Sequence, residues 1–197
     1  MNAAHLTAKD FRTQPWKNGG GTTLELASHG AGEGFAWRLS IADVARPGPF
    51  SDYAGCERTI MLVEGRGMEL AFEDGERVTL GTPYRPFVFD GGRRTTCRLL
   101  DGPVKDLNLI VDRTRWRGTC TVATGGGMSR VDFEGDWLLV YALRGATRVE
   151  ADGEAWDLRE GELLRVDDSP RSALAVATAD ADAAVAVMRI ARNAGDA

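Results

Sequence analysis

The sequence predicts an all-β chain of two fused antiparallel sandwiches or barrels, and three observations predict it. Apolar and polar residues alternate in short runs, as in Trp37-Arg38-Leu39-Ser40-Ile41. Glycine, proline and Asp-Gly pairs interrupt these runs, and none keeps a helical period over three turns. Two stretches also match without a gap. Asp74-Gly75-Glu76 recurs 78 residues later as Asp152-Gly153-Glu154, and at the same spacing Gly67 meets Gly145, Leu80 meets Leu158 and Asp90 meets Asp168. A constant spacing over turn and core positions marks a duplicated β module.

Taken in order, Leu6 to Phe11 reads as a first strand or turn, in which Thr7 can cap a single helical turn. Pro15-Trp16-Lys17-Asn18-Gly19-Gly20-Gly21-Thr22-Thr23 follows and is dense in polar and special-backbone residues. Thr23 to Ala27 alternates as a strand and Ser28 to Gly34 reads as a turn. Phe35 to Asp43 is a strand with Trp37, Leu39 and Ile41 on one face and Arg38 and Ser40 on the other. Arg46 to Gly55 is a proline/glycine loop that neither helix nor central strand can cross. Strands then follow at Thr59–Glu64, Met68–Phe72, Glu76–Leu80, Pro86–Asp90, Thr95–Leu100 and Asp106–Asp112. In the last, Asp106, Asn108 and Ile110 share a face. Trp116 to Gly127 reads as a connector with a short strand, and Gly125-Gly126-Gly127 as a linker turn. The second copy gives strands at Trp137–Leu143, Thr147–Ala151, Glu154–Leu158, Leu163–Val166, Ala173–Ala177 and Ala184–Ile190, then a frayed tail from Arg192 to Ala197. Residues 1–118 are expected to form the N-terminal segment plus the first module, and residues 119–197 a degenerate second module.

Composition narrows the function classes. The 197 residues carry 29 acids and 24 bases, a net charge of −5, with no basic run. Nucleic acid and anionic membrane surfaces are therefore poor partners. The N-terminus has no signal-peptide pattern and no apolar stretch spans a bilayer, so a cytoplasmic protein is expected. Cys56, Cys97 and Cys120 are odd in number and far apart, and read as reduced packing residues. His5 and His29 are the two histidines and read as surface residues. No metal and no cofactor is expected from so few ligands.

The repeat also predicts where function sits. At the constant spacing, Asp106 and Asn108 correspond to Ala184 and Ala186. The second copy keeps the scaffold and loses the polar groups, so the first module is expected to carry the site.

The Pro15–Thr23 stretch with Glu25, then Trp37-Arg38-Leu39-Ser40-Ile41-Ala42, then Gly48-Pro49-Phe50-Ser51 with Gly55 and Arg58, and finally Asp106-Leu107-Asn108 together resemble the HutD/Ves family. The resemblance implies a bicupin fold of antiparallel β-sandwiches or jelly rolls in a cytoplasmic bacterial protein. It also implies a link to histidine utilisation or stress response, a regulatory or governor role, and a ligand such as N-formylglutamate. Cupin barrels usually hold a metal on several histidines and a glutamate, which this chain does not have to give.

What the chain offers instead is cationic and amide chemistry. The candidate ligand-binding residues are Lys17, Asn18, Gly19, Gly20, Arg38, Ser40, Arg58, Asp106 and Asn108. Arginine grips a carboxylate with two parallel N–H donors. Lys17 adds a point charge, and the two asparagines donate and accept. Backbone N–H groups of the glycine run can form an anion-binding nest. Asp106 can hold an arginine in place or accept a ligand N–H. Trp16 and Trp37 read as core anchors, and Tyr53 and Cys56 receive no role. Against the site stand plainer readings, with Arg38 and Ser40 on the solvated face of an edge strand and Arg58 with Asp106 as a structural ion pair. The first functional reading is a metal-independent binder of a small carboxylate, with no catalytic residue assigned. The alternatives are a metal-independent isomerase or lyase using Lys17 with Asp106 or Glu25, and a protein-interaction module docking through its edges or the Arg46–Gly55 loop. A homodimer is compatible with any of the three.

Overall fold

The computed structural model describes residues 2–30, 34–133, 135–168 and 173–194. The expected turn at Ser28–Gly34 and the expected tail from Arg192 lie partly outside them. The described residues form strands and turns with no α-helix. In chain order the strands are β1 (Asn2–Leu6), β2 (Arg12–Pro15), β3 (Gly21–His29), β4 (Trp37–Val44), β5 (Gly48–Pro49), β6 (Cys56–Glu64), β7 (Met68–Phe72), β8 (Arg77–Leu80), β9 (Phe87–Asp90) and β10 (Thr95–Leu99). They continue with β11 (Val104–Asp112), β12 (Trp116–Thr124), β13 (Gly127–Val131), β14 (Trp137–Arg144), β15 (Thr147–Ala151), β16 (Glu154–Leu158), β17 (Leu163–Asp167), β18 (Leu174–Thr178) and β19 (Ala184–Arg192).

The chain divides into two compact units, one of Phe11–Trp116 and one of the segment before Phe11 with the chain after Trp116. In the Phe11–Trp116 unit, a six-stranded sheet β2-β3-β4-β11-β6-β9 and a four-stranded sheet β5-β10-β7-β8 enclose Ala42, Val44, Ile60, Leu62, Met68, Leu70, Phe72 and Cys97. In the other unit, sheets β1-β17-β14-β19-β12 and β13-β18-β15-β16 enclose Leu138, Val140, Val149, Leu164, Val176, Val185 and Val187. The strand orders superpose. Sheet segment β9-β6-β11-β4 has its counterpart in β17-β14-β19-β12, and β5-β10-β7-β8 in β13-β18-β15-β16. The duplication is thus complete at the level of topology.

The register corrects one sequence equivalence. Each unit carries a bulge in its central strand pair, where β6 skips Val63 opposite Lys105/Asp106 and β14 skips Leu143 opposite Val185/Ala184. Bulges shift one strand's facing by a residue. Aligned on them, the counterparts of Asp106 and Asn108 are Val185 and Val187, and that of Arg58 is Leu138. The expected Ala184 and Ala186 stand one residue off. The lost polar groups are replaced by core side chains, not by alanines.

Three further elements differ from expectation. The first ten residues do not belong with the first module, because β1 pairs along its whole length with β17 and His5 Nε2 bonds Glu162 Oε2 at 2.8 Å. The turn after β1 is closed reciprocally. Thr7 N–H donates to the Asp10 carboxylate at 2.9 Å and Asp10 N–H to the Thr7 carbonyl at 2.8 Å. Arg12–Pro15 is an exposed edge strand, which tolerates its terminal proline. The stretch Trp116–Gly127 is no linker. It holds the long strand β12, and its glycines turn the chain from one sheet of the unit into the other.

The glycine-rich turn between β2 and β3 is shaped by two of its glycines. Gly19 has φ +68°, a backbone region open chiefly to glycine. At Gly21 a Cβ would stand 2.2 Å from the Asp43 carbonyl oxygen on β4. Gly21→Ala must therefore part β3 from β4, with an expected loss of at least about 1–3 kcal/mol in urea unfolding. Gly48→Ala, where a Cβ meets nothing within 4 Å, should leave the midpoint near that of the native chain. Equal effects of the two would contradict the close approach.

Candidate functional site

Strand periodicity and register build the site in three rows across β4, β11 and β6. The outer row is Arg38, Ile110 and Arg58, the middle row Ser40, Asn108 and Ile60, and the inner row Ala42, Asp106 and Leu62. Neighbouring strands lie about 4.8 Å apart, so the two arginines start about 10 Å apart with Ile110 between them. All these side chains point to the interior face shared by the two sheets of the unit. The interior is thus polar in the outer rows, and the inner row is apolar but for the buried Asp106.

A cavity of about 510 Å³ opens over the outer rows. Arg38, Ser40 and Ala42, with Asn108, Ile110 and Arg58, line it from the sheet. Pro49, Phe50, Ser51 and Tyr53 line it from the proline/glycine loop, and Trp16, Lys17, Asn18 and Thr23 from the N-terminal turn and β3. Both segments are tied down. Phe50 N–H donates to the Thr95 carbonyl at 2.9 Å, Tyr53 N–H to the Gly91 carbonyl at 2.7 Å, and Trp16 N–H to the Gly21 carbonyl at 2.9 Å. Trp16 Nε1–H donates to Thr23 Oγ1 at 2.8 Å, and its ring meets Phe50 edge-on with centroids 6.2 Å apart.

Arg58 is the buried cation, at 7% exposure. Its guanidinium lies over three rings, Phe50 at 4.9 Å, Phe89 at 5.5 Å and Tyr53 at 5.9 Å. Such faces carry negative charge density and attract a cation. Nε–H and one Nη2–H donate to the same oxygen, Asn108 Oδ1, at 2.8 and 2.6 Å. Asn108 Nδ2 in turn donates to Asp106 Oδ1. The amide orientation follows from charge, since the cation takes its oxygen and the carboxylate its N–H. Asp106 is fully buried, and its Oδ2 has no hydrogen-bond partner among the described residues. Arg58 and Asp106 are therefore coupled through Asn108 and do not form a direct ion pair. Arg38 Nη2–H donates to the Tyr53 hydroxyl at 2.5 Å, with its guanidinium 5.1 Å from the Tyr53 ring centroid. Tyr53 thus faces both cations. It softens their mutual repulsion and fixes where each fork can turn.

The structure brings Lys17, Asn18, Arg38, Ser40, Arg58 and Asn108 to one cavity. Gly19 and Gly20 do not line it. Gly19 N–H donates to the Trp16 carbonyl at 3.0 Å and Gly20 N–H to Asn18 Oδ1 at 2.9 Å, so those donors of the expected nest are used within the turn. Asp106 does not reach the cavity either, for Asn108 stands between. Arg38 and Ser40 are not on an edge strand, since β4 is flanked by β3 and β11. Trp37 is fully buried, as expected of a core anchor, whereas Trp16 is a wall of the cavity. Sequence reasoning missed Phe50, Ser51 and above all Tyr53. Their signal was two aromatics in a loop held rigid by Pro47 and Pro49.

Comparison with known proteins agrees with this fold. A family model described as HutD matches residues 8–185. A Pseudomonas putida protein named as an uncharacterized 21.2 kDa protein in the hutC 3′ region is 38% identical over 150 residues, 75% of this chain and 77% of that protein. Protein Ves of Citrobacter koseri is 36% identical over 119 residues, 58% of this chain and 62% of its own. A solved structure of HutD from Pseudomonas fluorescens SBW25, in a formate condition, superposes with a TM-score of 0.83 at 32% identity, covering 98% of this chain and 100% of that one. A cupin 2 conserved barrel domain protein from Leptotrichia buccalis shares the fold alone, with a TM-score of 0.57 at 10% identity over 84% of this chain and 86% of that one. The fold is a bicupin. The divalent metal associated with cupin barrels does not fit the residues here. No three His, Cys, Asp or Glu converge among the described residues, and two guanidiniums face the cavity.

Burial dominates the charge state of the relay. It pushes the Asp106 carboxyl from its ordinary 3.8 up to about 7, against the pull of Arg58 and the Asn108 hydrogen bond. Burial also lowers Arg58 from its ordinary value, with Asp106 opposing, yet an arginine stays charged at neutral pH. A carboxyl raised on folding favours the folded state fully below the unfolded value of 3.8. That contribution is lost as pH rises through about 7. Relative to Asp106→Asn, the native chain should lose stability from about pH 4 to about pH 7 in urea unfolding, and no further above that. Parallel pH profiles for the two proteins would contradict this charge state.

Proposed function

This chain belongs to the HutD family, and on that premise we propose that its first unit binds a small carboxylate. N-formylglutamate or a related intermediate of histidine degradation is the compound class to test first, and the role is regulatory. The observation that carries the reading is a pair of guanidiniums facing one cavity, the inner one buried and locked by Asn108. An arginine fork held in advance loses little freedom on gripping a carboxylate. The cavity volume falls within the range of small-molecule sites. Ile110, Ala42, Pro49 and Phe50 offer apolar surface to a methylene chain, while Ser40, Ser51, Tyr53 and the Asn18 amide offer hydrogen bonds for a second polar group.

Binding is favoured over turnover by the cavity wall, which contains no carboxylate, imidazole or thiol among the described residues. Lys17 is exposed at the mouth, Asp106 lies behind Asn108, and Glu25 is off the cavity wall and accepts from Ser28 Oγ at 3.0 Å, so no group of the enzymatic alternative stands buried against a ligand. The Hut name and the hutC-region relative support a place in histidine utilisation, and we place the protein in the cytoplasm on the same ground.

Titration calorimetry with N-formylglutamate, glutamate and urocanate tests the reading. One of these should bind in the micromolar to millimolar range. Arg58→Lys keeps the charge and loses the fork, and should weaken binding at least about tenfold. Absence of binding to every small carboxylate at millimolar concentration would sink the proposal.

A further inference from the structure

We propose that the ligand carboxylate enters this cavity together with a proton, which Asp106 takes up. The inference rests on the reading that the cavity binds a carboxylate, and it adds the regulation of that site by pH.

The geometry isolates one carboxylate behind one cation. Asp106 is 0% exposed, in the row between the apolar Ala42 and Leu62. Its Oδ1 accepts from Asn108, and its Oδ2 has no partner among the described residues. From its own strand it faces the neutral amide of Asn108, and from β6 it faces Arg58. From the opposing sheet it faces Cys97 on β10. That thiol is directed at Met68 Sδ at 3.6 Å and kept neutral by burial, which pushes it up to about 12. From β4 it faces Ala42. Arg58 is therefore the cation that balances Asp106, acting through the Asn108 amide.

The same guanidinium lines the cavity. A ligand carboxylate gripping Arg58 places a second negative charge on a cation already shared with Asp106. In a dry interior two carboxylates around one cation do not both stay ionised. The ligand holds its charge because Arg38 and Lys17 also reach it. Asp106 has neither, and its open Oδ2 accepts the proton. The balance is an ionised protein plus a carboxylate anion plus one proton from solvent, giving a protonated complex. No bond other than Oδ2–H forms. Since burial already holds the Asp106 carboxyl at about 7, a further rise on binding falls within the physiological range.

The test is calorimetry of the full chain with N-formylglutamate, whose own carboxylates stay ionised through the range used. At about pH 8, in two buffers of different ionisation enthalpy, the apparent binding enthalpy should differ and report net proton uptake, up to one per ligand. The affinity should fall by up to about tenfold per pH unit above about 7. Asp106→Asn should abolish both the buffer dependence and the pH slope, which a merely structural role would not remove. If that variant does not fold, the native chain's buffer dependence decides alone. Binding without proton uptake overturns this inference and leaves the functional reading standing. No binding at any pH overturns the functional reading and this inference with it.

Discussion

A guanidinium held inside a β-barrel needs an acceptor that is itself held, and the Arg58–Asn108–Asp106 chain supplies both. Asn108 is the pivot. Its amide can satisfy a cation on one side and a carboxylate on the other only in one orientation, so charge at either end fixes the geometry at both. The rings of Phe50, Phe89 and Tyr53 enclose the cation's faces and leave its edges for directed hydrogen bonds. Everything else at the site is arranged around that cation. Arg38 stands across Ile110 from it, Tyr53 touches both arginines, and the N-terminal turn closes over them.

The second unit shows what the same fold does without this device. Where the first has Arg58, Asp106 and Asn108, it has Leu138, Val185 and Val187, packed in its apolar core. Replacing buried ionic groups by apolar ones of similar size is commonly neutral or stabilising. The first unit therefore keeps its polar interior at a cost in stability, with Asp106 Oδ2 and Arg38 Nε left without partners among the described residues. A buried polar group without a partner calls for an explanation, and a bound ligand or ion is one. The contrast between duplicated halves makes that argument internal to one chain, since fold and topology are shared and the polar rows are not.

Much of the fold was legible because strands advertise themselves by period. Alternation alone separates the two faces of Phe35–Asp43 and of Asp106–Asp112, but which face turns inward is set by the pairing of β4, β11 and β6 and not by the pattern. The repeat was legible from its turns. Its register was not, because a bulge moves side-chain facing by one residue without changing the residue types that form turns. The place of β1 depends on pairing with a strand far along the sequence, which no local pattern encodes. Tyr53 stayed hidden for a related reason. Loop residues have no period, and its position is set by a hydrogen bond to Gly91 across the unit. Asp106 shows the remaining limit. Alternation puts it on the face of Asn108, but depth along the barrel decides whether it meets ligand or stands behind the residue that does.

The most direct test of the central claim is a crystal structure of the chain grown with N-formylglutamate. The account predicts a ligand carboxylate in the first unit's cavity, within about 3 Å of guanidinium nitrogens of Arg38 and Arg58, with Asn108 still bridging Arg58 to Asp106. A ligand bound elsewhere, or a cavity in which Arg58 turns away from Asn108 to reach it, would contradict the account.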